Sequence, residues 1–198
     1  MRDVHGVDVD GLRVDAAGRT DRAIARSLLQ ASGVDPAQVD GRAEAVLAAT
    51  VAAYEELCPP DLSATVAPGI AAVLGELAGR SEQFRFSLVT GNFEAVARRK
   101  LAAAGIGAHF PAGQGAFGSD AEAREDLPPV ARARAGDWPR ERTVVIGDTP
   151  RDIACARADG LRVVGVATGP YSAEALAEAD AVVAGAAELV AVLEALAV

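Results

Sequence analysis

The chain has 198 residues, of which 51% are apolar and only 4% aromatic, and a net charge of −9. That length allows one substantial core with a small companion subdomain, and the acidic balance argues against nucleic acid, whose binding depends on positive patches. The N-terminus MRDVHGVDVD lacks a signal peptide's apolar stretch, and no apolar run reaches membrane-spanning length, so a cytoplasmic protein with no membrane partner is expected.

In chain order, Asp8 and Asp10 come first, in the stretch GVDVDGLRVD. Their Asp-x-Asp-Gly spacing is that of paired carboxylates in magnesium-dependent phosphate chemistry. The residues before them are not the apolar run that a buried parallel strand requires. From Thr20, a residue suited to helix capping, Ile24, Leu28 and Leu29 recur at helical spacing until Gly33. A second helix is predicted over 41–57, and Cys58-Pro59-Pro60 breaks it. Residues 1–60 thus read as a small helical cap subdomain and 61–198 as the core.

After the break the rhythm is strand, glycine, helix. Apolar strands are predicted at FRFSLVT (84–90), TVVIGD (143–148), LRVVGVAT (161–168) and AVVA (181–184), each followed by a helical pattern. This alternation predicts an α/β fold, a Rossmann-like parallel sheet with both faces covered. Cys58 and Cys155 lie far apart without CxxC spacing, so neither a zinc site nor a disulfide is expected.

Such sheets bind ligands outside the carboxyl ends of their strands. The first predicted strand ends on Thr90, Gly91 and Asn92, a hydroxyl and a run of N–H groups suited to phosphate oxygens. Thr90 can equally be a plain helix cap. The strand TVVIGD ends on Asp148, with Asp152 four residues on, and the two carboxylates can converge on Mg²⁺, which takes one or two carboxylates with waters and phosphate. The alternative is a helix cap with an acid in the first turn. Gly147 has no Cβ to obstruct a ligand.

The string VVIGDTPRDIACARADG resembles the acidic motif of the haloacid dehalogenase-like hydrolases, and the order of VAPGIAAVLGELA, SLVTGN, GAFGSD and VVGVATGPYSAEAL is similar to their phosphoglycolate phosphatase-like branch. GRTDRAIARSLL (18–29) resembles part of that branch's cap. The resemblance implies a phosphatase acting on a small phosphorylated metabolite through an aspartyl-phosphate. Thr90 would bind the transferring phosphoryl group, and Asp148 and Asp152 would hold Mg²⁺. A basic residue is also implied. Lys100, the only lysine, and Arg124 compete for it, and Arg124 is preferred because it lies just after a loop and at the start of a helix. Arg19, Thr20 and Asp21 in the cap specify no particular substrate.

The resemblance also argues against Asp8 and Asp10 as nucleophile and acid. Leu12 follows Gly11 where the family has threonine, and only seven residues separate Asp10 from Gly18, fewer than the roughly 12 of a stable isolated helix. The expectation is a chain that starts late, without the family's first core strand and helix, poorly stable and of little phosphatase activity as it stands. A non-catalytic remnant that binds a metal or partner is the rival reading. A nucleotide-binding module is poorer, since no Gly-rich phosphate loop follows any strand.

Overall fold

The structure is a computed structural model and describes residues 1–196. Four helices come first: α1 (Arg2–His5), α2 (Asp21–Ala31), α3 (Pro36–Gly41) and α4 (Ala43–Leu57). The Thr20 hydroxyl caps α2 by accepting the Ala23 N–H at 3.1 Å. Asp35 caps α3 in the same way, with Pro36 in the first turn where its missing N–H is harmless. Ala25 and Leu29, one turn apart on α2, meet Val39 of α3 and Val46 of α4 in a small apolar cluster that Met1, Val4 and Val7 extend. The helix predicted over 41–57 begins at Ala43, because α3 closes first and its chain turns at Arg42. Cys58 and two prolines end α4.

The remaining elements form the α/β core: α5 (Ile70–Ala78), β1 (Val89–Thr90), α6 (Glu94–Ala103), β2 (Ala116–Phe117), α7 (Leu127–Arg134), β3 (Val144–Gly147), α8 (Pro150–Ala158), β4 (Arg162–Val166), β5 (Ala181–Val183) and α9 (Ala186–Leu196). All pairing is parallel, in two separate ladders, β1-β2 and β3-β4-β5. The alternation of β4 distributes its side chains to both faces. Val163 packs with Ile153 and Ala156 of α8, whereas Val164 and Val166 pack with Val73 and Leu77 of α5 and Leu189 and Leu193 of α9. The predicted Rossmann-like sheet, covered on both faces, is therefore present.

Two details differ from the sequence reading. The strand predicted over 84–90 shrinks to Val89–Thr90, preceded by one further ladder-like bond from the Ala116 N–H to the Leu88 carbonyl at 2.7 Å. It has a neighbour on one edge only, and an apolar run without ladder partners does not become regular strand. Its partner β2 lies in GAFGSD, which no strand pattern marked, because two residues are too few to show alternation.

Among the described residues no strand lies between β1 and β3, in agreement with the expected gap at the first core strand. A cavity of about 470 Å³ is lined by residues from both ladders, Leu88 and Val89 at β1 and Val144, Val145 and Ile146 of β3, and by Leu77 of α5. Ile146, in mid-strand, is 45% exposed for this reason. Parallel strands are ordinarily buried on both sides.

Candidate functional site

The acidic turn after β3 is built around Asp152. Thr149 caps α8 and forms a capping box with Asp152: the Thr149 hydroxyl accepts the Asp152 N–H at 3.2 Å, and Asp152 Oδ2 accepts the Thr149 N–H at 3.0 Å. The same oxygen takes the Thr149 hydroxyl at 2.9 Å and the Asp148 N–H at 3.1 Å. Oδ1 takes Arg124 Nη2 at 2.6 Å, in a pair whose side chains are 16% and 8% exposed. Both oxygens of Asp152 are thus engaged by the protein.

Gly147 serves this arrangement. A Cβ there would lie 2.3 Å from Asp152 Cβ, so its bareness makes room for the Asp152 side chain where the sequence suggested room for a ligand. Asp148 is different. It is exposed at the carboxyl end of β3, and among the described residues its carboxylate accepts no side-chain or backbone bond. Gly169 leaves space beside it, since a Cβ there would meet Asp148 Oδ2 at 2.4 Å. Asp148 is therefore the carboxylate open to a hard cation, and among the described residues no group of three His, Cys, Asp or Glu could hold one.

Thr90 ends β1. Its hydroxyl accepts the Asn92 N–H at 3.2 Å, and α6 begins only at Glu94 behind Phe93, so Thr90 shapes a turn and does not cap the helix. Its own O–H keeps a free donor among the described residues. Of the predicted N–H run, Asn92 N is thus given to Thr90 and Phe93 N to Asp21 Oδ2 at 2.9 Å.

The turn is clamped from two sides. Asp21 N–H donates to the Gly91 carbonyl at 2.7 Å, and Gly118 N–H to the Asn92 carbonyl at 2.9 Å. A Cβ on Gly91 would lie 2.1 Å from the Arg19 carbonyl, so glycine is needed where the Arg19–Asp21 stretch crosses. Thr20 is 1% exposed and donates its hydroxyl to the Glu122 carbonyl at 2.6 Å. Asp21 takes Asn92 Nδ2 at 3.1 and 3.3 Å, and Lys100 Nζ donates to Asn92 Oδ1 at 2.9 Å.

The two competing cations therefore go to different places, Lys100 to the Thr90 turn and Arg124 to Asp152. Asp21 is the residue that the sequence reading left without a role in the core. Its position directly after a capping threonine was the available signal. Arg19, by contrast, is occupied by the Ala23 carbonyl and Ser27 hydroxyl of α2, the helix that follows it.

Asp8 and Asp10 lie in an exposed loop after α1, not at a strand end. The Asp10 N–H and Arg2 hold the Asp8 carboxyl below its usual range, the backbone bond more than the arginine. Cys155 is an unactivated thiol: burial pushes its pKa up to about 11, and it donates to the Arg124 carbonyl at 3.2 Å.

Comparison with known proteins bears on the fold. The sequence profile of the haloacid dehalogenase-like hydrolases matches residues 10–157. No curated protein matches. Among solved structures, β-phosphoglucomutase from Clostridium difficile superposes with a TM-score of 0.67 at 18% identity, covering 94% of this chain and 83% of that one. CbbY from Rhodobacter sphaeroides, in complex with phosphate, gives 0.57 at 23%, covering 79% and 68%. A predicted phosphatase from Clostridium acetobutylicum gives 0.57 at 24%, covering 64% of this chain. The chain spans 59% of that phosphatase's length. At these identities the likeness is one of fold.

Proposed function

Because the chain belongs to the haloacid dehalogenase-like hydrolases, we propose that it serves phosphate-ester hydrolysis on a small phosphorylated metabolite, with Mg²⁺ as the metal. The observation that carries this reading is a pair of open groups. The Thr90 O–H and the Asp148 carboxylate each stand at the carboxyl end of a parallel strand, the side on which open α/β sheets bind ligands. Thr90 donates to a phosphoryl oxygen. Asp148 would hold the metal, which when bound neutralises charge on the phosphoryl group. Asp152 acts from behind, fixing the turn that presents Asp148. This is a narrower fit than a two-carboxylate site, and it is within what Mg²⁺ accepts.

An aspartyl-phosphate requires a carboxylate nucleophile, and Asp8 and Asp10 are poor choices in their exposed loop beside Arg2. The 198-residue chain accordingly binds phosphate and metal but turns over little. The gap between β1 and β3 favours a second reading, a fold that keeps binding and has lost catalysis. Calorimetry with Mg²⁺ and assay with a generic phosphate ester test both. Asp148→Asn weakens Mg²⁺ binding by about tenfold or more, the worth of one charged ligand, with the melting temperature unchanged. Equal Mg²⁺ affinity in that variant rules out the metal assignment. Robust hydrolysis abolished by Asp8→Asn would return the nucleophile to Asp8 and exclude the second reading.

A further inference from the structure

We propose that the groove between β1 and β3 is a docking site for one extended apolar segment of a partner polypeptide, which pairs with both strand edges and sets a carboxylate beside Arg85 and Arg142. Each of these strands has a ladder partner on one edge only, β2 for β1 and β4 for β3. The cavity is lined by Val89 and by Val144, Val145 and Ile146 and, among the described residues, by none of β2, β4 or β5, so it runs along the two outer edges. The strands also begin and end together. Their starts share Trp138, whose ring centre lies 5.1 Å from the guanidinium carbons of both Arg85 and Arg142. Their ends share Gly18 and Arg19: a Cβ on Gly18 would lie 3.0 Å from Thr149 Oγ1, and one on Gly91 2.1 Å from the Arg19 carbonyl oxygen. The two edges therefore run in the same direction on either side of one groove.

The edges call for a main chain. Ala116 N–H donates to the Leu88 carbonyl at 2.7 Å. Successive residues of a strand turn their backbone groups to opposite edges, so the N–H and C=O of Val89 point away from β2, into the groove. On the far wall, alternate residues of β3 are taken by β4 and the others face the groove. Arg124, whose Nε is buried without a partner among the described residues, lines the groove too. Polar groups of this kind cost free energy when an apolar ligand covers them without bonding. An extended peptide supplies N–H and C=O groups to both edges, and a hydrocarbon chain supplies neither.

The walls define the segment's side chains. Leu77 of α5 and Leu193 of α9 line the groove from the helical layer on one face of the sheet, and Pro128 and Ala131 line it from α7, which packs against α8 of the opposite layer. A strand enclosed on both faces is apolar at every position, not at alternate ones. At about 3.3 Å per residue, the span of β3 and its flanks takes about five residues.

The entrance defines the charge. In a chain of net charge −9, Arg85 and Arg142 both line the groove, and among the described residues neither meets a carboxylate. Arg85 gives Nη1 to the Ala135 carbonyl at 2.7 Å, and Arg132 beside them is taken by Asp159. Two guanidiniums held against one indole, with donors to spare, bind a carboxylate by charge-assisted hydrogen bonds.

Trp138 is the only tryptophan, and its fluorescence in the full chain reports the groove entrance without phosphate or metal, so the outcome is independent of the hydrolase reading. The probe is the amidated peptide Glu-Glu-Val-Ile-Val-Leu-Val. It should shift the Trp138 emission saturably and slow amide exchange at residues 86–89 and 144–147 by about tenfold or more. Lysines in place of its glutamates should weaken binding by about tenfold, against the trend of the acidic chain as a whole, and Arg85→Gln combined with Arg142→Gln should remove that preference. N-methylation of its valines, which deletes ladder donors, should abolish binding, as should Ile146→Asp in the groove wall. The proposal is overturned if the glutamate peptide does not bind, if the N-methylated peptide binds as well as its parent, or if the lysine peptide binds better. Binding of oleate in place of the peptide would make the groove an acyl-chain site, and groove amides already protected in a wild-type dimer would assign it to a second copy; either result overturns the proposal as well.

Discussion

The two ladders of the sheet use the same device, parallel strands followed by helices, and reach different degrees of order. In β3-β4-β5 the central strand has neighbours on both edges and a helical layer on each face, and Val163 and Val164 are fully buried. In β1-β2 each strand is two residues long, and β1 borders the groove. Apolar content does not separate them, since FRFSLVT is as apolar in rhythm as LRVVGVAT. What separates them is pairing: backbone N–H and C=O groups become regular strand when a partner satisfies them. The turns of the proposed site belong to one ladder each, Asp148 to the ordered one and Thr90 to the short one, so the proposed binding depends on both.

The largest expected effect is on the join between them. Asp152→Ala removes the capping box and strips Arg124 of its partner in the groove wall, and should cost about 3–5 kcal/mol in denaturant unfolding. A loss under about 1 kcal/mol would mean that the pair does not hold the turn.

Next is Asp159, which lies beside the ordered ladder, just before β4. Its side chain is 2% exposed and paired to Arg132 at 2.7 Å and Arg140 at 2.8 Å. Replacing it by Asn should cost about 3 kcal/mol. Burial pushes this carboxyl up, but the two arginine hydrogen bonds outweigh burial and hold it below its ordinary 3.8. A depressed carboxyl contributes stability in full above its unfolded pKa and loses it as the pH falls through the folded one. Wild-type stability should therefore drop below about pH 4, and the Asp159→Asn variant should show a shallower acid limb.

The same truncation on the two ladders tests the contrast directly. Val164→Ala, in the closed core, should cost about 2 kcal/mol, and Val89→Ala, on the groove wall, less than about 1. Equal losses would show that the groove wall is as well packed as the core. Smallest is Ile146→Thr, at the exposed edge of β3. It should change stability by under about 0.5 kcal/mol and reduce self-association in sedimentation, because an open apolar strand edge invites pairing. Unchanged sedimentation would place Ile146 out of reach of a second chain.

Much of this was legible from residue order. Thr20 before an apolar period of helical spacing marked α2 and its cap, and VVIGD followed by TPRD marked β3, the turn and α8. The strand at 84–90 was overextended and β2 passed unseen, because a two-residue ladder leaves no periodic trace. Thr90 and Asp148 stand at the carboxyl ends of β1 and β3, the positions that the strand pattern gave them. Sequence spacing did not tell Arg124 from Lys100, and it did not show that Asp152 is consumed by the backbone of its own turn. The placing of Arg124 depends on groups that meet across 28 residues, from Arg124 to Asp152, and the Asn92 turn on a contact across 71, from Asp21 to Asn92, whereas the hold of the turn on Asp152 is local, a capping box with Thr149.

The sequence by itself determined the local chemistry: helix caps, the alternation that makes a covered parallel sheet, and a family motif whose residues stand at strand ends. These depend on neighbours a few positions apart, where backbone sterics and periodicity act. The tertiary structure decided how the donors and acceptors are shared. A carboxylate, an amide or a guanidinium binds whichever partner the fold brings within about 3 Å, and in this protein the fold gives Arg124 to Asp152 and Lys100 to Asn92 and, among the described residues, leaves the Asp148 carboxylate and the Thr90 O–H donor without a partner.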